Sequence, residues 1–194
     1  MESTLRLVTG RLVLTIPGPA DLERALAFTV RNKEHFDRFT PAPENEPLES
    51  VLRRRVGTAE ALYHGDRGLL LILASRDEPR GPVLGDVHFS NVVRGAFHAC
   101  HVGYKIDHEA EGKGLMAEAL RAAIGHVFDQ MRLHRVMANY QPDNERSAQL
   151  LARLGFVVEG YARDYLHIGG SWRDHVLTAL TNRRWIPLGP DEQR

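Results

Sequence analysis

Apolar and polar residues alternate along several short stretches of the chain, which is the pattern of β-strands with one buried face. One stretch, 68–75, is almost continuously apolar, as expected for a central strand that is covered on both faces. Clusters of glycine, proline and aspartate separate these stretches and indicate turns. The predicted strands are 11–16, 68–75, 83–93, 98–106, 135–140, 156–168 and 172–180.

Other stretches repeat apolar residues at three- and four-residue steps, which indicates amphipathic helices. Asp21 can cap the first of these helices, and either Asp143 or Asn144 can cap the last. Gly155 follows the last helix and is a typical C-terminal stop. The predicted helices are 22–30, 50–63, 115–131 and 147–154.

The order of these elements restricts the topology of the sheet. The strands between 68 and 106 follow one another through short turns, so they form an antiparallel meander. The helix 115–131 lies between two strands, and such a crossover makes those strands parallel. We therefore predict an α/β (α+β) fold with a mixed central sheet of about seven strands, mostly antiparallel with one parallel pair, and about four flanking helices. A ligand crevice is expected at the parallel pair.

The stretch 31–47 contains three prolines and four acidic residues, and it predicts a long loop. Two interpretations stay open. In the first, this is a binding loop in which Phe36 and Phe39 pack across a substrate while Glu44 and Glu46 attract a cation. In the second, it is a solvated loop whose two phenylalanines pack into the core.

Composition and charge are those of an ordinary globular domain. The chain has 194 residues, with 25 basic and 25 acidic side chains and 43% hydrophobic residues. Proteins that coat nucleic acids or membrane surfaces typically carry a basic excess, which is absent here. The sequence shows neither a signal-peptide pattern nor an apolar run of ~18 residues, so we expect a cytoplasmic protein. We assign residues 1–182 to one domain and 183–194 to a polar C-terminal tail.

Cysteine and histidine usage excludes two kinds of site. Cys100 is the one cysteine, so the chain has no internal disulfide and no cysteine-based zinc site. Its position within a predicted strand favours a buried apolar role over a nucleophile. The ten histidines show no metal-ligand spacing, and we predict no metal.

The most informative stretch is the turn between the strand 98–106 and the helix 115–131. It contains Gly112-Lys113-Gly114, and two glycines at a helix start let backbone N–H groups point at a ligand. The first N–H groups of a helix have no partner within the helix, and the helix dipole favours an anion there. The turn therefore predicts a phosphate or pyrophosphate site, although a plain glycine-rich turn stays possible.

Three anion-binding motifs can be compared with this turn. A P-loop has the pattern G-x-x-x-x-G-K-[ST], in which Lys directly follows the second glycine, but Leu115 follows Gly114 here. The dinucleotide motif G-x-G-x-x-G/A is matched as far as Ala117, but it should follow its strand directly and open a run of alternating strands and helices. The third motif, [Q/R]-x-x-G-x-[G/A], binds the pyrophosphate of acyl-CoA and is matched except at Glu109.

The glycine turn and the helix after it resemble the CoA-binding motif of the GCN5-related N-acetyltransferase (GNAT) superfamily. A second motif of this superfamily, N-x-x-S-x-x-L-L-x-x-x-G-F, is matched by Asn144, Ser147, Leu150, Leu151, Gly155 and Phe156. Further stretches are similar to the branch that acetylates the N-termini of ribosomal proteins, namely 89–100, 134–140, Glu159-Gly160 and 172–181. The resemblance covers nearly the whole of residues 8–182.

The resemblance implies a GNAT fold with the parallel pair at the cofactor crevice. It implies an enzyme that uses acetyl-CoA as the acetyl donor, without a metal, and acts on the N-terminal alanine of a small-subunit ribosomal protein. The acetyl group would be transferred directly in a ternary complex. The implied partner is a ribosomal protein N-terminus or a pre-ribosomal particle, with no sequence-specific nucleic acid and no membrane, and the chain would be a monomer or a homodimer.

The same resemblance assigns residues to the two substrates. The residues expected to contact acetyl-CoA are Tyr104, Ile106, Gly112, Lys113, Gly114, Leu115, Met116, Asn144 and Ser147. The residues expected to line the acceptor groove are Phe36, Phe39, Glu44, Glu46, Trp172 and Asp174.

Amide formation from a thioester needs a free amine, a polarised carbonyl and a proton for the leaving sulfur. An α-amine has a pKa near 8, so about one molecule in ten is free base at pH 7 and a weak base suffices. The candidate bases are Asp164 and Glu159, and Asp164 can instead be a surface acid beside Arg163. Backbone N–H groups of residues 103–106 can polarise the carbonyl. Ser147 can supply the proton or simply bond the start of its helix.

Two other functions stay open at this point. The first is an acetyltransferase for a small amine such as an antibiotic or polyamine, which would share the cofactor site and differ in the acceptor groove. The second is a ribosome-assembly or regulatory factor that binds CoA without needing catalysis.

Overall fold

The computed structural model describes residues 5–41 and 46–187, and these form eight strands of one sheet. The strand order is β1-β2-β3-β4-β5-β6-β8-β7, and β5 and β6 are parallel whereas all other neighbours are antiparallel. The strands are β1 (Arg6–Val8), β2 (Leu12–Thr15), β3 (Leu69–Ser75), β4 (Gly85–Val93), β5 (Ala99–Ile106), β6 (Arg135–Tyr140), β7 (Val157–Ile168) and β8 (Ser171–Thr181).

Five α-helices flank the sheet within the described residues. Two short 3-10 helices precede α1 and α4, at Pro19–Asp21 and His108–Ala110. The helices are α1 (Leu22–Arg31), α2 (Lys33–Asp37), α3 (Leu48–His64), α4 (Leu115–Asp129) and α5 (Glu145–Arg153).

The mixed sheet with one parallel pair confirms the predicted fold, but two elements are additional. β1 has three residues, which is too short for an alternating pattern to show in the sequence. α2 is a single turn inside the predicted loop 31–47, and its five residues offer one buried apolar side chain, Phe36. One apolar residue does not define a helical period.

The two faces of the sheet pack against different helices, because successive side chains of a strand point to opposite sides. On β4, Val87 belongs to the core that contains Met116 and Leu120 of α4. The next residue towards the N-terminus, Asp86, points to the opposite face and lines a small cavity between α1 and α3. The sheet therefore separates an α4 side from an α1–α3 side.

Part of the predicted C-terminal tail packs against the body of the domain. The ring of Trp185 lies 4.9 Å from that of His98 and 5.8 Å from that of His134, centroid to centroid. Its indole N–H donates a hydrogen bond to the carbonyl of Arg132 at 2.9 Å. The chain after β8 thus covers the end of the sheet where β6 begins, while residues 188–194 lie outside the described part.

Candidate active site

The parallel strands β5 and β6 separate after three residue pairs. Paired residues are Ala99 with Arg135, Cys100 with Val136 and His101 with Met137. Beyond these pairs β5 runs to Ile106 and β6 to Tyr140 without contact in register. We call the wedge between the two unpaired halves the crevice. On the side that faces the crevice, the backbone N–H and C=O groups of both strands have no partner strand, so an extended ligand can bond them.

The glycine turn lies at the end of β5 and begins α4. Gly112 and Gly114 have φ values of 72° and 73°, and Gly114 is the N-cap of the helix. Residues with a Cβ are strained in this left-handed conformation. The first-turn N–H groups of α4 have no helical acceptor. The predicted anion site therefore has the backbone geometry that it requires.

Arg11, in the connection between β1 and β2, holds this turn in place. Its Nη1 donates to the carbonyl of Lys113 at 2.8 Å, and its Nε donates to Oε2 of Glu118 at 2.7 Å. Thr9 also donates to Glu118, at 2.6 Å. Burial raises the pKa of Glu118, but these hydrogen bonds outweigh burial and bring it below its usual value. Glu118 is thus a carboxylate that ties α4 to the β1–β2 hairpin.

A second network fixes the chain between β5 and the turn. The buried carboxylate of Asp107 accepts hydrogen bonds from Arg31 Nε at 2.8 Å and from the backbone N–H of Glu109 at 3.0 Å. Asn32, which is 1% exposed, bonds both Asp107 and the backbone N–H of His108. Burial raises the pKa of Asp107, but these donors together hold it below its usual value. The network joins the end of α1 to the C-terminal end of β5.

Hydroxyl groups meet on the α5 side of the crevice. Ser147, in the first turn of α5, lies close enough to Tyr104 of β5 to lower the pKa of its hydroxyl. Burial is the larger effect and raises this pKa to about 12, and Tyr140 of β6 raises it further. Tyr104 is therefore a protonated hydroxyl at neutral pH. Asn144 caps α5, with its Oδ1 accepting from the Ser147 N–H at 3.1 Å.

The two predicted carboxylate bases lie apart from each other. Glu159 forms an ion pair with Arg135, which is the first residue of β6 and lies at the paired end of the strand. Asp164 is exposed on β7, in a bulged stretch where its φ is 48°. Its backbone N–H donates to Asp174 at 2.9 Å, and Asp174 also accepts from the hydroxyl of Tyr161 at 2.6 Å.

The predicted acceptor-groove residues have different surroundings. Phe36 is 7% exposed and packs on Phe28, so its ring belongs to the core. Phe39 is half-buried beneath the guanidinium of Arg38, and Trp172 is 61% exposed. Glu46 forms an ion pair with Arg54 of α3. Glu44 lies outside the described residues.

The segment that begins with α2 bridges the loops after the two separated strands. His35 lies 2.9 Å from Glu111, which precedes the glycine turn and also pairs with Arg146 of α5. Arg38 lies 3.5 Å from Asp143 in the loop after β6. This segment thus crosses the open end of the crevice. These bridges could not be predicted from the sequence, because their members are distant in the chain and share no motif.

Two absences apply to the described part of the chain. Residues 5–41 and 46–187 contain no group of three histidine, cysteine or acidic side chains that could hold a metal ion. None of the helices in these ranges is both long enough and apolar enough to cross a membrane.

A sheet that opens between two parallel strands, with a left-handed glycine turn and a free helix start at the opening, provides a site for an extended ligand with an anionic group. Comparison with known proteins gives the family. The sequence profile described as "Acetyltransferase (GNAT) domain" matches residues 11–157, and the chain belongs to this family of enzymes, which use acetyl-CoA.

Relatives within the family are similar over nearly their whole length. The chain is 44% identical over 184 residues to the [ribosomal protein uS5]-alanine N-acetyltransferase of Escherichia coli, with 94% of each chain covered. The structure of the ribosomal-protein-S5-alanine acetyltransferase from Vibrio fischeri superposes with a TM-score of 0.83 at 34% identity, covering 94% of this chain and 100% of that one. Mycobacterium smegmatis RimJ, solved with CoA-disulfide, gives 0.74 at 25% identity over 92% and 85% of the two chains.

Proposed function

We propose that this protein acetylates the N-terminal alanine of the small-subunit ribosomal protein uS5, in the cytoplasm, with acetyl-CoA as donor. The observation that carries the proposal is the 44% identity to a uS5-alanine N-acetyltransferase over 94% of both chains. The crevice and the glycine turn support it, because they provide a site for the donor beside an open face for an acceptor.

The residues at the crevice fit the donor. The N–H groups of Gly112, Gly114 and the first turn of α4 would bond the pyrophosphate, and Lys113 would add a positive charge. The unpaired halves of β5 and β6 would bond the extended pantetheine arm. Glu109 and Glu111 add negative charge to this turn, but Glu111 forms an ion pair with Arg146 and lies 2.9 Å from His35. The other predicted contacts are Tyr104, Ile106, Leu115, Met116, Asn144 and Ser147.

Bound acetyl-CoA supplies a thioester, and the chain positions the groups that act on it. Backbone N–H groups of β5 beyond His101 would polarise the carbonyl oxygen. Ser147 and Tyr104 form a hydroxyl pair whose proton can pass to the leaving sulfur. A thiol has a pKa near 8.5, so this proton transfer need not be strong.

Transfer would be direct in a ternary complex, because the one cysteine of the chain is not available to carry the acetyl group. Cys100 is fully buried, and burial raises the pKa of its thiol to about 12. A buried neutral thiol is inert as a nucleophile. Donor and acceptor must therefore be bound together.

The acceptor would enter on the face opposite α4. Trp172 and Asp174 of β8, Phe39 and Glu46 stay predicted contacts of the peptide. Phe36 would act indirectly, by packing α2 against the core. Exposed aromatic and acidic side chains suit a positively charged peptide N-terminus.

A peptide panel tests the proposal. Peptides that begin with the uS5 sequence and carry Ala, Ser or Met first are incubated with acetyl-CoA and the enzyme, together with one peptide that has a blocked N-terminus and a free lysine. We expect a mass gain of one acetyl group, fastest on the alanine peptide and absent from the blocked one. Acetylation of small amines but of no peptide would favour a small-amine acetyltransferase. CoA binding without any transfer would favour an assembly factor.

A further inference from the structure

His101 occupies the point where the crevice begins. It forms the last register pair between β5 and β6, with Met137. Its neighbours Cys100 and Val102 pack into the core that contains α4. Because strand side chains alternate, His101 points to the opposite face, where an acceptor would approach. It is half-buried there.

The surroundings of His101 keep its imidazole neutral. Burial lowers the pKa of His101 below its usual value of 6.5. Its Nδ1 is enclosed and has no hydrogen-bond partner among the described residues. A neutral imidazole at pH 7 carries a lone pair that can take a proton.

Several titratable groups share this face of the sheet. On β4, Ser90 is opposite His101 and His88 is opposite Gly103; a side chain at Gly103 would overlap the His88 ring. His88 Nδ1 lies 3.7 Å from Asp86 Oδ1. Lys105 on β5 is opposite Asp86, and Arg135 on β6 is paired with Glu159.

We propose that His101 is the general base that deprotonates the α-ammonium of the acceptor. This inference rests on the proposed function. Two observations support it. His101 lies at the point where the crevice begins, and its neutral ring lies on the face of the sheet opposite α4, where an acceptor would approach. Tyr104 and Ser147 lie on the other face, so the base and the acid of the reaction are separated by the β5 backbone.

The two carboxylates first considered are less well placed than His101. Glu159 is occupied by Arg135 at the paired end of β6, away from the opening. Asp164 is exposed on β7, and β7 is separated from β6 by β8.

The proton balance is complete with these groups. The acceptor ammonium gives one proton to the imidazole of His101, which frees the nitrogen lone pair. That nitrogen forms a bond to the thioester carbonyl carbon, and the carbon–sulfur bond breaks. The sulfur takes one proton from the hydroxyl pair of Ser147 and Tyr104. The nitrogen loses its second proton to solvent, and solvent returns a proton to the hydroxyl pair. The products are the amide, the thiol and one proton that the imidazolium releases.

The test compares the wild type, His101→Asn and His126→Asn on the alanine peptide between pH 6.5 and 9.5. His126 is a matched control, because it is also a half-buried histidine whose pKa burial lowers, but it lies in α4 beside Tyr63. About one α-amine in ten is free base at pH 7, so we expect H101N to lose about tenfold in kcat/KM there. At pH 9.5 the amine is free, and H101N should return to within about twofold of the wild type. H126N should follow the wild type at every pH.

The same experiment distinguishes a loss of the base from a loss of folding or of CoA binding. His101→Gln is a second variant, and the melting temperature and CoA affinity of each variant are measured alongside its rate. A loss that is equal at every pH would overturn the proposal, because it would indicate a structural role. An unchanged rate for both His101 variants at pH 7 would overturn it as well. If the wild type acetylated no peptide at all, the proposed function itself would fail, and the role of His101 with it.

Discussion

At the scale of single residues, the glycine turn shows how backbone conformation prepares the site. There is room for a side chain at both glycines of the turn. A Cβ at Gly112 would meet nothing within 4 Å, and one at Gly114 would meet only Arg11, at 3.7 Å. What requires glycine is the positive φ at both positions. The pair of glycines was readable from the sequence, but its cause was visible only in the structure.

Replacing Gly114 with alanine should therefore destabilise the protein without creating a clash. We expect a cost of about 1–2 kcal/mol from the left-handed backbone, together with weaker CoA binding. Gly125→Ala is the matched control: it lies inside α4 with open space at its Cβ, and the change should stabilise by about 0.5–1 kcal/mol. Thermal melting and calorimetric titration with CoA check both variants. Equal shifts for the two would contradict this explanation.

Removal of the Ser147 hydroxyl should slow the chemical step. Because Ser147 lies beside Tyr104 at the crevice and is proposed to supply a proton, we expect S147A to lose about tenfold to a hundredfold in kcat with little change in the KM for acetyl-CoA. Ser75→Ala, at the end of β3, serves as a control that should keep full activity. Steady-state kinetics with the alanine peptide measure both. A change confined to KM would assign Ser147 to binding alone.

At the scale of secondary structure, elements with a clear period were predicted and elements defined by tertiary contacts were not. The bounds of β3, β4 and β6 lie within two residues of the predicted strands, because their apolar patterns are long or continuous. α2 was missed, since its place is determined by Asn32 and Asp107 and by the bridges of His35 and Arg38. Such contacts join residues that no sequence pattern connects.

Asp107 is the residue through which this part of the fold depends on pH. Its pKa is depressed in the folded state, so its contribution to stability is complete above the pKa of the unfolded chain, near 3.9, and disappears as the pH falls through the lower folded value. We expect Asp107→Asn to unfold at a lower denaturant concentration than the wild type at pH 7. The difference should shrink as the pH drops below about 4. Denaturant midpoints at several pH values provide the measurement, and a constant difference would refute the linkage.

At the scale of the whole molecule, the sheet separates two sides, and in the proposed function each side serves a different substrate. α4 and α5 would face the donor, and the acceptor would approach the face of α1–α3. The parallel crossover was predicted from the order of elements, which located the crevice. The hydroxyl pair and the position of His101 could not be predicted, because they depend on the pleat of β5 and on the register with β6.

This arrangement predicts sequential kinetics. Both substrates must occupy the crevice before transfer, so initial-rate plots at several acetyl-CoA concentrations should intersect and not run parallel. Cys100→Ala should keep the same pattern, with at most a modest loss of stability from the small cavity. Parallel lines, or trapping of an acetylated protein by mass spectrometry, would show a covalent route instead.

The alternation of side chains along β5 has a consequence for how such a protein can diverge. Cys100, Val102 and Tyr104 lie on the face packed against α4, which would be the donor side in the proposed function, whereas His101, Gly103 and Lys105 lie on the face that the acceptor would approach. Mutations at odd-numbered positions can therefore alter acceptor choice while the even-numbered positions preserve the donor site. An insertion or deletion of one residue would exchange the two sets and disable both. A new acceptor specificity can therefore arise by substitution within β5, but not by a change in the length of β5.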